Sequence, residues 1–247
     1  MSAPRFLACG DAALSVEFGD RIDPAHSAQV LALEGALARD PFAGLIETMP
    51  SFRALLVRYE PLTLSFAEAV ACVKARLTAA REQGESAATP ARLWRFPVAY
   101  GGEEGPDLAE VAARSGLTEA AVVAAHSGVA HRVYMLGFLP GAPFLGGLPA
   151  QIDLPRRAEP RVAVPARSVA IAVGLSVIYP VESPGGWNLL GRTPARLFAA
   201  EAEPPALLAP GDAVRFEPAA AEDVARLAER AAAGDWRPAC EPEGGGA

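Results

Sequence analysis

The chain has 247 residues, about half of them hydrophobic, and a formal net charge of −7. That length supports one large domain or two smaller ones with a real core, and the apolar content excludes wholesale disorder. The acidic balance argues against a nucleic-acid partner, whose phosphates call for a basic surface.

Lys74 is the only lysine, which leaves no P-loop lysine, no Schiff-base lysine and no Met-Lys motif for covalent biotin on this chain. Cys9, Cys72 and Cys240 are widely spaced with no C-x-x-C pair. That usage fits a reducing cytoplasm rather than a disulfide framework or a zinc site, so no metal site is expected. The N-terminus lacks a charged region followed by an apolar run, and the longest apolar stretch, Ser168–Pro180, is too short to span a membrane. A cytoplasmic protein with no membrane partner is the expectation.

Arg5–Cys9 and Ala13–Phe18 read as strands, the second with Leu14, Val16 and Phe18 on one face. Asp23-Pro24 starts a helix whose apolar side is Val30, Leu31, Leu33 and Leu37. Ile46–Met49 and Ala54–Tyr59 read as strands joined around Pro50-Ser51, and Phe66, Val70, Val73 and Leu77 follow at helical spacing. This order suggests a small α+β sandwich over residues 1–87. The polar stretch Arg81–Ala91 reads as a linker, so the second domain covers 88–247.

Leu93–Tyr100 opens that domain as a strand, and Asp107 with Glu110 makes a capping box for a helix ending near Gly116. Thr118 caps a second helix reaching His126. The pair resembles a DNA-reading helix-turn-helix in outline, yet Glu119–His126 offers no Arg, Lys, Asn or Gln to read base edges. From Val129 the pattern is β, with turns at Pro140-Gly141, Pro184-Gly185-Gly186 and Pro210-Gly211, which favours a closed or partly closed barrel. A helix over Ala219–Ala232 and a disordered tail at 241–247 end the chain.

Residues His126 to Pro194 hold the unusual chemistry. GFLPGAPFLGGLP (Gly137–Pro149) is neither a Walker loop nor a dinucleotide fingerprint, but its glycines shape a loop around Phe138 and Phe144. Gly137, Phe138, Pro140, Gly141, Phe144 and Gly146 are therefore candidate ligand or partner contacts, with a tight structural loop as the bland alternative. In PRRAEPR, Arg156, Arg157 and Arg161 are either a solvated charge run or an anion site. Gly185, Gly186 and Trp187 place an indole beside two glycines, to stack on a flat ligand or to plug the barrel end. Arg192, in GRTP, is a further anion candidate, and His126 is a structural residue or a proton carrier.

These three segments in this order, with GDAALSVEFGDRIDP (Gly10–Pro24) and YGGEEGPDL (Tyr100–Leu108), resemble the family of the 5-oxoprolinase B subunit, also called allophanate hydrolase subunit 1 or Kip-type kinase inhibitor, the carboxyltransferase subdomain C-D. The resemblance covers about residues 8–217 and implies a cyclophilin-like barrel for the second domain. It implies one subunit of an ATP-dependent 5-oxoprolinase, a hydrolase inactive alone, with Mg2+ accompanying the ATP. Its partners would be a complementary carboxyltransferase-like subunit and a lactam-hydrolase subunit. Phosphorylating the lactam oxygen would make ring opening downhill, with His126, Arg156, Arg161 and Arg192 as the catalytic candidates. Inhibition of a sensor histidine kinase, or service as half of a biotin-dependent carboxyltransferase such as urea carboxylase, stay open.

Overall fold

The structure is a computed structural model that describes residues 3–82 and 92–242. The chain divides into two compact units, Met1–Thr89 and Pro90–Ala247. The expected boundary between residues 87 and 88 lies outside the described residues. Of the expected linker, Arg81 and Glu82 are helical instead, because the helix before them runs on past its last apolar turn.

In the first unit, β1 (Arg5–Ala8), β2 (Ala13–Glu17), β3 (Leu45–Pro50) and β4 (Ala54–Tyr59) form an antiparallel sheet in the order β1-β2-β4-β3. Leu14 and Val16 of β2 and Leu55, Val57 and Tyr59 of β4 alternate into the core, as a half-buried sheet requires. Helix α1 (Pro24–Arg39) begins where the Ala25 N–H donates to Asp23 Oδ1 at 2.9 Å, and it buries Val30, Leu33 and Leu37. Helix α2 (Phe66–Glu82) has a reciprocal cap: Ser65 N–H donates to Glu68 Oε2 at 2.8 Å, and Glu68 N–H to Ser65 Oγ at 3.3 Å. Its buried face is Ala69, Val73, Leu77 and Ala80, while Phe66 is exposed and Val70 only half-buried. Small alanines let the helix approach closely, which spacing of the large apolar residues alone misplaces.

The second unit holds β5 (Arg92–Tyr100), α3 (Leu108–Ser115), α4 (Glu119–Ser127), β6 (His131–Leu136), β7 (Pro143–Gly146), β8 (Arg161–Val164), β9 (Ser168–Ala172), β10 (Leu175–Ile178), β11 (Ser183–Gly185), β12 (Asn188–Arg192), β13 (Ala213–Pro218), α5 (Ala221–Ala232) and β14 (Ala239–Pro242). Strands β12-β9-β10-β7-β6-β13-β5 close into a ring because β5 also pairs with β12. The length of β5 makes closure possible. Its first half pairs β14, its end pairs β12, and its other edge runs parallel to β13. Trp94, Phe96, Val133, Leu145, Ile178 and Phe216 fill the interior.

Two expectations change here. Glu241 and Pro242 belong to β14 rather than to a tail, since their backbones find an open edge on β5; residues 243–247 lie outside the described residues. Pro184-Gly185 is not a plain turn but part of β11, which pairs with β8 in a separate ribbon. The register slips between Ser183 and Gly185, so Pro184, having no N–H, sits at the irregularity. The α3–α4 pair packs against β12 and β9 through Val111, Val122, Ile171 and Leu190. No described helix is long and apolar enough to cross a membrane.

Candidate functional site

A cavity of about 330 Å³ opens on the second unit between the β6–β7 hairpin, the segment preceding β8, and the β11–β12 junction. The hairpin turn is held by Gly137 N–H to Ala142 O at 3.0 Å and by Ala142 N–H to Leu139 O at 3.0 Å. Gly141, at φ 75°, presses on the Leu197 carbonyl, where a Cβ would leave only 2.8 Å. This turn throws Phe138 outward at φ 68° and 71% exposure, onto the cavity rim. Phe144 on β7 meets Trp187 edge to face, with ring centroids 6.1 Å apart. Tyr179 stands behind, its hydroxyl against Gly185, where any Cβ would collide with it.

The structure brings together Phe138, Phe144, Gly185, Gly186, Trp187 and Arg156 as cavity lining. Gly137, Pro140, Gly141 and Gly146 are not in that lining. They shape the hairpin, with Gly146 leaving room for the Tyr134 ring.

The arginines separate sharply. Arg156 is exposed, its guanidinium carbon 5.6 Å from the Trp187 ring centre, and it makes no ion pair among the described residues. Arg161 grips Asp107 with two hydrogen bonds, at 2.9 and 2.6 Å. Arg157 joins the same carboxylate at 3.0 Å and Glu110 at 3.2 Å. Arg192 lies 2.7 Å from Glu104 across an ion pair. Two of the three arginines proposed for anion contact thus already face carboxylates of their own chain.

Asp107 is 3% exposed and also accepts the Leu189 N–H at 2.7 Å. It therefore makes no side-chain cap for α3, contrary to the capping box read from sequence. A buried carboxylate flanked by two guanidiniums gains more from charge-assisted bonds than from one helix N–H. Sequence reasoning missed Asp107 and Arg157 as a pair. The available signal was charge bookkeeping: three arginines in seven residues call for a counter-ion.

His126 ends α4 with no exposed surface. Its Nδ1 is 2.7 Å from Tyr100 Oη, its Nε2 3.1 Å from Ser176 Oγ, and its ring stacks on Phe216 at 4.6 Å. His131 Nε2–H donates to the His126 carbonyl at 2.8 Å. Burial, and then the neighbouring His131, holds the His126 pKa well below the ordinary histidine value, so the ring is neutral at pH 7. Burial also lowers His131 and raises Tyr100. Neither histidine lines the cavity. At Tyr179, burial raises the phenol, while the Arg156 guanidinium and the Trp187 backbone N–H pull it back.

Comparison with known proteins places the chain. It is 40% identical over 217 residues to the B subunit of 5-oxoprolinase from Bacillus subtilis, covering 84% of this chain and 89% of that one. Against the 5-oxoprolinase B subunit of Escherichia coli O157:H7 it is 40% identical over 221 residues, covering 88% and 97%. Among solved structures, that of TTHA0988 aligns with a TM-score of 0.74 and 38% identity over 84% of this chain. This chain spans only 40% of that one. The Kluyveromyces lactis urea carboxylase aligns at TM-score 0.74 over 96% of this chain and 24% of its own, at 18% identity, a likeness of fold alone. Residues 4–208 match the carboxyltransferase domain, subdomain C and D, and the chain belongs to that family.

Proposed function

We propose that this chain is one subunit of an ATP-dependent 5-oxoprolinase, inactive alone, that opens 5-oxoproline to glutamate together with partner subunits. The observation that carries the reading is 40% identity along nearly the whole length of two proteins named as that subunit. The seven-strand ring is read as a cyclophilin-like barrel and the first unit as a two-layer α+β sandwich, in a cytoplasmic protein. The partners are a complementary carboxyltransferase-like subunit and a lactam-hydrolase subunit.

Within that reading the cavity beside Trp187 is this chain's share of a joint site. Arg156 is the anion contact, because Arg161 and Arg192 face Asp107 and Glu104. His126 serves as a neutral brace of the barrel interior rather than as a proton carrier. ATP with Mg2+ belongs to the assembled enzyme. A single unpaired guanidinium does not match a triphosphate, so no step through ATP is assigned to this cavity. Lys74, the only lysine, stands in α2, and no covalent biotin is proposed.

Co-expression with the neighbouring-gene partners, followed by measurement of glutamate released from 5-oxoproline with and without ATP, tests the reading. Release that requires both ATP and this chain is expected. Full turnover by the chain alone, or none by the assembly, overturns it.

A further inference from the structure

The segment carrying Arg156 is bonded to the segment carrying Trp187 on both sides of the pair. Asn188 Nδ2 donates to the Pro155 carbonyl at 3.1 Å, and the Arg157 N–H donates to the Gly186 carbonyl at 2.7 Å. The bridges from Arg157 and Arg161 to Asp107 fasten the same strap to the barrel. The two segments are thus joined before any ligand arrives, with the Arg156 guanidinium carbon 5.6 Å from the indole centre, which lowers the ordering cost of binding. The unpaired cation, the aromatic wall and the cavity occur together.

We propose that this cavity binds the lactam acid itself, as a small cyclic monocarboxylate. Its ring lies along Phe144 and Trp187, its carboxylate meets Arg156, and its ring carbonyl accepts the Tyr179 O–H. The name of the acid rests on the 5-oxoprolinase reading; the ligand class rests on the cavity. One unpaired cation matches one negative charge. The volume of about 330 Å³ stands at the lower end of the range of roughly 300–1,000 Å³ typical of small-molecule sites, which suits a five-membered ring. Tyr179 is part of the cavity lining, and its hydroxyl lies against Gly185, another lining residue, so a phenolic O–H stands at the cavity wall. A nucleotide triphosphate would bring several negative charges to a site with one cation, so MgATP is not the occupant.

The test is a titration of the purified full-length chain, read by calorimetry and by tryptophan fluorescence, with Trp187→Phe identifying the reporting indole. L-5-oxoproline and cyclopentanecarboxylate are expected to bind, while 2-pyrrolidinone, which lacks the carboxylate, and MgATP are not. Arg156→Met removes the charge from an exposed position, so the fold is unaffected, and weakens both acids about tenfold or more. Tyr179→Phe weakens L-5-oxoproline alone. Binding of L-5-oxoproline undiminished in Arg156→Met overturns the site. So does an assembled enzyme that opens 5-oxoproline with unchanged KM in that variant, although the functional reading then survives. An assembly without 5-oxoprolinase activity, paired with Arg156-dependent binding of cyclic carboxylates, has the opposite meaning: the site stands and the named function falls.

Discussion

Arg156 and His126 belong to the same barrel unit. One is an exposed cation beside an open cavity; the other is a neutral ring with no exposed surface. Both stand out in the sequence for the same reason, an ionisable side chain within a stretch rich in glycine and aromatics. The difference lies in their partners. Both His126 nitrogens have hydrogen-bonding neighbours, Tyr100 and Ser176, and the rings packed on it are Tyr100, His131 and Phe216, with no carboxylate in either set. Arg156 stands over the face of Trp187 and makes no ion pair among the described residues. Satisfied groups hold a fold together, and an unsatisfied charge at a cavity is available for a ligand.

The strongest way to break the comparison is to release the anchor beneath Arg156. Asp107→Ala leaves Arg157 and Arg161 without their shared acceptor and the Leu189 N–H without a partner. Removing one side of a buried ion pair costs about 3–5 kcal/mol, and the partial exposure of both arginines puts this case near about 3 kcal/mol. Urea denaturation measures the loss, which Arg156→Met should not share. A cost below about 1 kcal/mol would mean that the bridge behaves as a surface pair.

The closed region has a pH signature of its own. Unfolded histidines titrate near about 6.5, whereas burial holds both His126 and His131 below that. Between the two values the unfolded chain carries more protons. Stability is therefore full above about pH 6.5 and falls on acidification, by up to about 1.4 kcal/mol per pH unit for each histidine. Glu34 in the first unit opposes this. Burial raises its carboxyl to about 7, so its contribution is full below about pH 4.5 and is lost as pH rises through about 7. Urea melts from about pH 5 to 8 should show a steeper acid loss in Glu34→Gln and a shallower one in His126→Gln. Equal slopes in all three proteins would remove the neutral-brace account of His126.

Local chemistry is legible in the sequence. The alternation in β2, the Asp23-Pro24 helix start and the left-handed Gly116 that stops α3 all follow from residues within a few positions of one another. Partners distant in sequence are not legible. Asp107 reads as a cap from its neighbours, and only the fold sets it beside arginines 50 and 54 residues away. Closure through β5 and β12, and the recruitment of Glu241 into β14, likewise depend on which edges stand open. For the site, composition marks loops that line the cavity, but burial and pairing are needed to divide Arg156 from Arg161 and Arg192. The real capping box is Ser65 with Glu68, and its spacing is the same as that of Asp107 with Glu110, so spacing alone does not tell them apart.

The smallest expected effect separates stability from binding at the cavity rim. Phe138 holds a left-handed backbone at φ 68° with most of its ring exposed. That conformation costs an L-residue about 1–2 kcal/mol, and glycine takes it freely. The unfolded-state entropy that glycine adds offsets part of the gain, as does the small apolar area lost. Phe138→Gly should therefore leave stability unchanged or raise it by up to about 1 kcal/mol. The same change strips an apolar wall from the cavity, so binding of cyclopentanecarboxylate should weaken severalfold even as the melting temperature holds. Loss of stability together with binding would show Phe138 to be ordinary packing. A stable protein with poorer binding is what a strained residue kept for its contacts predicts.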